Sequence, residues 1–216
     1  MAHVVAGRGT RDDLVLGAAE VADLLNQPVV VEEKLDGANV VVWLEDGRVS
    51  CALRSGPGAM DRAGQLGPLR AWLAQHDEAV RRVMADGAAL YGEWLLLTHS
   101  VAYDRLPAYL VMLDLWRLET GFAGVEERNR VCHAAGLVTP PELWRGVPGA
   151  AAAVEALMGR SSWGGEPMEG VVIRSLADPD RRAKLLTAGF CRLDDEGWGR
   201  GRRPRNALAD QEASWR

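Results

Sequence analysis

The stretch that most restricts this chain is Val29-Val30-Val31-Glu32-Glu33-Lys34-Leu35-Asp36-Gly37-Ala38-Asn39-Val40-Val41-Val42-Trp43. Two apolar runs rich in β-branched residues flank a charged bend with one glycine, which reads as strand, tight bend, strand. A lysine at the end of a buried strand, beside a carboxylate and a glycine that lets a ligand approach the backbone, is well placed to act as a nucleophilic amine. Lysine attacks only as the neutral amine, so such a site must favour loss of its proton through burial or neighbouring cations. The bland alternative is an exposed charge cluster at a strand end. A Lys-x-Asp-Gly match alone does not choose between the two.

The rest of the chain alternates groups of strands with single helices. Ala18 to Leu25 reads as a short helix closed by Asn26-Gln27-Pro28. Asn39 to Glu45 and Arg48 to Leu53 read as a hairpin around Asp46-Gly47. Leu66, Leu69, Trp72, Leu73, Val80, Val83 and Met84 recur at helical spacing, and Gly87 suits the stop. Ala88 to Leu97 and Ala108 to Leu118 are strand-like, Val125 to Ala135 helical, and Thr139-Pro140-Pro141 breaks the chain. Ala150 to Met158 is a second short helix, and Met168 to Ser175 and Ala183 to Leu186 are strands. The first 16 residues read as irregular. This order predicts an α+β domain with largely antiparallel sheets and flanking helices, spanning 1–190. Residues 191–216, with Gly and Arg between Gly197 and Arg205, read as a basic, mobile or loosely packed tail.

Bulk properties exclude some classes. A formal charge of −5 argues against a protein that coats nucleic acid generically, although a local basic groove is compatible with it. Cys51, Cys132 and Cys191 are odd in number and scattered, which predicts a reducing, cytoplasmic setting and no metal-ligand spacing. No signal peptide is read at the start, and no apolar run is long enough to cross a bilayer.

Five charges stand near the ends of apolar strands: Lys34, Arg54, Glu93, Glu169 and Lys184. Burying part of a charge is costly unless it is paired or meets a ligand. Together they predict a shared polar cleft in which Lys and Arg meet phosphate oxygens. Glu93 and Glu169 would hold a divalent cation there, directly or through its waters.

Taken in order, these residues resemble the motifs of the covalent nucleotidyltransferases, the superfamily of ATP-dependent DNA ligases, RNA ligases and mRNA capping enzymes. Glu33-Lys34-Leu35-Asp36-Gly37 is similar to motif I, with Arg54-Ser55 following it. Tyr91-Gly92-Glu93 is similar to motif III, Tyr109 to Trp116 to motif IIIa, Glu169-Gly170-Val171-Val172-Ile173-Arg174 to motif IV, and Arg182-Ala183-Lys184 to motif V. Motif V departs from the more usual Lys-x-Lys. The resemblance implies an ATP-grasp-like ligase nucleotidyltransferase fold. It also implies attack by Lys34 on the α-phosphorus of ATP, with Mg2+ or Mn2+, to give a lysyl-AMP intermediate. It implies roles for Lys184 and Arg182 at the α-phosphate, Arg54 at ribose or phosphate, Glu93 at the ribose hydroxyls or metal waters, Glu169 at the metal and Glu33 at the adenine amino group. Met112 and Leu113, or else Trp94 or Trp116, would pack on the base. Asp36 organises the bend, and His99 is a lesser site candidate.

DNA ligases and capping enzymes carry an OB-fold after motif V, and the residues after Phe190 are too few for a five-stranded barrel. The run from Tyr91 through His99 to Trp116, and Gly7-Arg8-Gly9-Thr10 with Asp12-Asp13, resemble the small RNA-ligase-like branch. The expected function is ATP-dependent joining of 3′-OH and 5′-phosphate ends, RNA favoured over DNA, as in RNA repair. Arg200 to Arg205 would touch the nucleic acid backbone. Two alternatives stay open: a minimal DNA ligase that depends on a partner, and a degenerate nucleotide-binding regulatory domain.

Overall fold

Asp46 and Gly47 both take left-handed backbone, φ 48° and 71°, which matches the twist a two-residue hairpin turn needs. The strands they join, β4 (Ala38–Glu45) and β5 (Arg48–Leu53), pair antiparallel from Val40↔Leu53 to Glu45↔Arg48. The structure is a computed structural model and describes residues 2–3, 14–53, 64–84, 87–188, 190 and 203–210. These residues divide into two compact units that interleave in sequence. Unit 1 holds residues 1–35, 140–162 and 166–190, and unit 2 holds 36–139, 163–165 and 191–216.

Unit 1 is built on a six-stranded sheet. Its strands are β1 (Ala2–His3), β2 (Leu14–Val15), β3 (Val29–Lys34), β9 (Glu142–Gly146), β10 (Gly170–Ser175) and β11 (Arg182–Leu186), in the order β2-β1-β11-β10-β3-β9. The β1 pairings are parallel and the rest antiparallel. One face is apolar: Val29 and Val31, Val171 and Ile173, and Ala183 and Leu185 pack with Leu24 and Leu25 of helix α1 (Ala18–Leu25) and Val154 of helix α5 (Ala151–Glu155). Period-two alternation sends the intervening residues of each strand to the other face.

Unit 2 holds the antiparallel sheet β5-β4-β6-β7-β8, adding β6 (Ala88–Trp94), β7 (Leu110–Arg117) and β8 (Gly121–Phe122). Val40, Val42, Leu90, Trp94, Met112 and Leu115 form its core with Leu69, Trp72 and Leu73 of α2 (Leu66–Gln75), Val80 and Val83 of α3 (Asp77–Val83) and Cys132 of α4 (Val125–Ala134).

The mixed α+β architecture with largely antiparallel sheets follows the sequence pattern, with local differences. The single helix expected from Leu66 to Met84 is two, because His76 leaves helical geometry and lays its ring on Trp72, centroids 3.7 Å apart. The strands β1, β2, β8 and β9 were not expected. β9 follows the Pro-Pro break, and its Leu143 and Trp144 reach the unit 1 core. Over 203–210 the segment read as a loose tail is seated in unit 2, with Asn206 and Leu208 buried. Among the described residues no helix is long and apolar enough to cross a membrane.

Candidate nucleotidyltransferase site

Three central strands of unit 1 bring the charged residues together. Across β3, β10 and β11 the register aligns Lys34 with Gly170 and Leu186, Glu32 with Val172 and Lys184, and Val30 with Arg174 and Arg182. All of these lie on the face opposite the apolar core. One sheet face therefore carries four cations, Lys34, Arg174, Arg182 and Lys184, with Glu32 as the acid within the strands and Glu169 just before β10. Outer strands of such a triplet stand about 10 Å apart, within the combined reach of two lysine side chains.

The ion pairs on this face are specific. Lys34 Nζ donates to Glu169 Oε2, and the Glu169 side chain is fully buried while that of Lys34 keeps 15 % exposure. Arg174 Nε donates to Glu32 Oε2 at 2.7 Å, both side chains buried. Lys184 is 5 % exposed. Gly170 is required where it stands, since a Cβ there would lie 2.1 Å from the Leu185 carbonyl oxygen.

Glu33 is placed differently from its neighbours. It follows Val29 and Val31 on the core side, is buried, and accepts from Ser161 Oγ at 2.6 Å and from the Ser162 N–H at 2.8 Å. Each carboxylate oxygen thus accepts one hydrogen bond from the 161–162 turn, on the side of the sheet opposite Lys34. The reason is the strand period: a residue next to Lys34 must face the other way.

In unit 2, Glu93 accepts from the Gly37 N–H at 3.0 Å. Gly37 is close-packed, since a Cβ would meet the Trp94 carbonyl oxygen at 2.6 Å. Asp36 Oδ2 accepts from the N–H groups of Ser100 at 2.5 Å and Val101 at 2.9 Å, and its own N–H donates to Tyr103 Oη at 2.8 Å. His99 is buried in the same loop. Trp94 and Met112, two candidates for stacking on adenine, are core residues of this unit, Trp94 edge-on to Trp72 and Tyr109. Leu113 and Trp116 keep partial exposure. Arg54 lies outside the described residues, as do residues 200–202, whereas Arg203 donates to the Thr98 carbonyl at 3.2 Å.

No group of three or more His, Cys, Asp or Glu that could hold a metal is present among the described residues. Glu93 and Glu169, the two expected metal carboxylates, are not part of such a cluster. Burial pushes the Cys132 thiol up to about 11, and burial also raises Cys51, opposed by Arg70. Neither is a thiolate nucleophile at neutral pH.

Sequence reasoning missed three participants. Glu32 was read only as part of the charged bend, Arg174 only as the end of a motif, and Asn206 as part of a tail. Glu32 was within reach of the pattern, because it lies two residues before Lys34 and so shares its face.

This combination defines a class, a mixed-sheet domain with a lysine and a carboxylate paired on a cationic sheet face. The sequence profile described as RNA ligase matches residues 27–186, and the chain belongs to that family. Solved structures agree on the fold. The Naegleria gruberi RNA ligase with PPi superposes with a TM-score of 0.58 at 18 % identity, covering 78 % of this chain and 52 % of that one. A lysine-to-alanine mutant of the same ligase with ATP and Mn gives 0.58 and 18 %, covering 75 % and 50 %. A lysine-to-methionine mutant with AMP and Mn gives 0.56 and 17 %, covering 78 % and 52 %. The chain spans about half the length of these ligases. Comparison with curated protein sequences finds no match.

Proposed function

We propose that the chain is an ATP-dependent RNA ligase that works through AMP carried on Lys34. The observation that supports this most is the shared sheet face of Lys34, Lys184, Arg174 and Arg182 with Glu169 held to Lys34. Four cations on one face suit a polyphosphate, and phosphoryl transfer is catalysed mainly by alignment and charge stabilisation. The solved relatives were obtained with ATP, AMP or PPi, which fits the same chemistry.

In the first step Lys34 Nζ loses a proton and attacks the α-phosphorus. The N–P bond forms, the α–β phosphoanhydride bond breaks and pyrophosphate leaves with the electron pair. Attack requires the ammonium to pass that proton to water, since an ammonium has no lone pair to give, and the second amine proton leaves to water as the N–P bond forms. Lys184 and Arg182 take the α-phosphate oxygens. A 5′-phosphate oxygen of the nucleic acid then attacks the same phosphorus and frees Lys34. Finally a 3′-hydroxyl attacks the activated 5′-phosphate, and AMP departs.

A divalent ion would neutralise phosphate charge. The donor set of isolated carboxylates fits an ion carried largely by phosphate oxygens and water, as Mg2+ prefers, and not a site that holds metal by itself. Glu169, beside Lys34 in unit 1, is the carboxylate there that would meet it. The substrate we favour is RNA ends, on the family match.

Intact-mass spectrometry after incubation with ATP and Mn2+ tests the proposal. Wild-type protein gains one adenylate, and Lys34→Ala gains none. No adduct on the wild type defeats it. Sealing that demands DNA on both sides of a nick transfers the assignment to the DNA-ligase alternative.

A further inference from the structure

We propose that Asn206 is a positioning residue for the Lys34 nucleophile, and that segment 203–210 is the clasp through which it acts. The inference rests on the lysyl-AMP reading above. It concerns a segment beyond the 27–186 stretch that matches the family.

Lys34 is followed two residues later by Asp36, which the loop between β6 and β7 holds through Tyr103, Ser100 and Val101. The next amide, of Gly37, is held by Glu93. The chain leaving the nucleophile is thus pinned at two successive residues. The pin is only as firm as the loop, and the loop from Leu95 to Tyr109 has no helix or ladder of its own. A connection of that length needs external partners to stay in one conformation.

Segment 203–210 supplies them. Asn206 is 3 % exposed. Its Oδ1 accepts from Thr98 Oγ1 at 2.8 Å and from the Tyr103 N–H at 3.0 Å, and its Nδ2 donates to the Leu95 carbonyl at 2.8 Å. Its N–H donates to the Leu96 carbonyl at 3.0 Å, and its carbonyl accepts from Tyr109 Oη at 3.2 Å. The Thr98 N–H donates to the Pro204 carbonyl, the Ala207 N–H to the Tyr103 carbonyl and the Leu106 N–H to the Ala207 carbonyl. Tyr103 is the hinge of the argument. Its backbone is held by Asn206 and Ala207, while its hydroxyl holds Asp36. A side chain near the C-terminus is therefore coupled by two hydrogen-bonded steps to the residue two places after Lys34.

The test uses the intact chain and measures the single-turnover rate of AMP attachment to Lys34, the ATP concentration for half-maximal rate, and the melting temperature. Asn206→Ala should slow attachment at saturating ATP by about 10- to 100-fold, because small misplacements of reacting groups cost that much. The half-saturating ATP concentration should change by less than about 3-fold, since the cations of unit 1 are untouched. Tyr103→Phe removes the hydroxyl that holds Asp36 and leaves the backbone hydrogen bonds of residue 103 to Asn206 and Ala207, so it decides the matter if Asn206→Ala does not fold. It should also slow attachment, and the double variant should be no slower than the worse single, because both act on one link. Rates at the wild-type level in folded variants, or a loss confined to the melting temperature, overturn the proposal alone. A wild-type chain that never takes AMP overturns the lysyl-AMP reading and this proposal with it.

Discussion

Along β3, β10 and β11 five ionisable side chains share one sheet face because strands alternate. Around the 95–109 loop, Asp36, Tyr103 and Asn206 meet although 67 residues separate the first pair and 103 the second. In unit 1 the backbone ladder already fixes which way each charge points, and the side chains add two ion pairs. In unit 2 the loop backbone is fixed by side chains, with a carboxylate and a carboxamide doing what a ladder does elsewhere. The first arrangement should fail by steric or electrostatic insult to the sheet. The second should fail by loosening locally while the rest of its unit stays folded.

Gly170→Ala gives the largest expected effect of substitutions that remove no catalytic group. The new Cβ meets a ladder carbonyl that has no free space to yield. A loss upwards of about 4 kcal/mol is expected in chemical denaturation. Wild-type stability for this variant would mean that the β10–β11 ladder is not rigid, and the contrast between the units would lapse.

Arg174→Met comes next. It takes the guanidinium from buried Glu32 and should cost about 3–5 kcal/mol. The Glu32→Met/Arg174→Met pair should recover most of that, as buried ion pairs replaced on both sides generally do. Failure to recover would assign Arg174 a partner more important than Glu32.

Asp36→Ala tests the other region. It strips the acceptor from two loop amides, at about 1–3 kcal/mol for each buried group left without one. Hydrogen exchange should show protection lost at Ser100 and Val101 but kept in β4 and β6. Uniform loss across unit 2 would show that the loop is not a separate cooperative element.

Glu33→Gln should have the smallest effect, about 1–2 kcal/mol, from a weakened pair of hydrogen bonds to Ser161 and Ser162. Its preference for ATP over GTP in adenylate attachment should match the wild type. A collapse of that preference would return Glu33 to the adenine and remove the distinction drawn between the two faces of β3.

Much of unit 1 was legible in sequence. Val29-Val30-Val31 ahead of Lys34, and Gly170 to Ile173 behind Glu169, announce strands with a charge at one end, and in unit 2 Asp46-Gly47 announces a hairpin. The pairing of Lys34 with Glu169 was not legible, because 135 residues separate them and only the β3–β10 register joins them. The contacts of Glu33 with Ser161 and Ser162 were not legible either, because a motif reads residues in a line, whereas a strand sends neighbours to opposite faces. Segment 203–210 carries no hydrophobic period, so nothing in its composition marks Asn206 as buried. Its burial comes from hydrogen bonds to a loop more than a hundred residues away.

The amino-acid order alone determined the local choices: which runs are strands and where the turns fall. Those follow from steric and hydrophobic preferences that act over a few residues. Tertiary structure alone decided the partners: Glu169 for Lys34, Arg174 for Glu32, the 161–162 turn for Glu33, and Asn206 for the loop that holds Asp36. A buried polar group is satisfied by whatever the folded chain brings within about 3 Å, and that neighbour is set by strand register and loop path, not by position along the sequence.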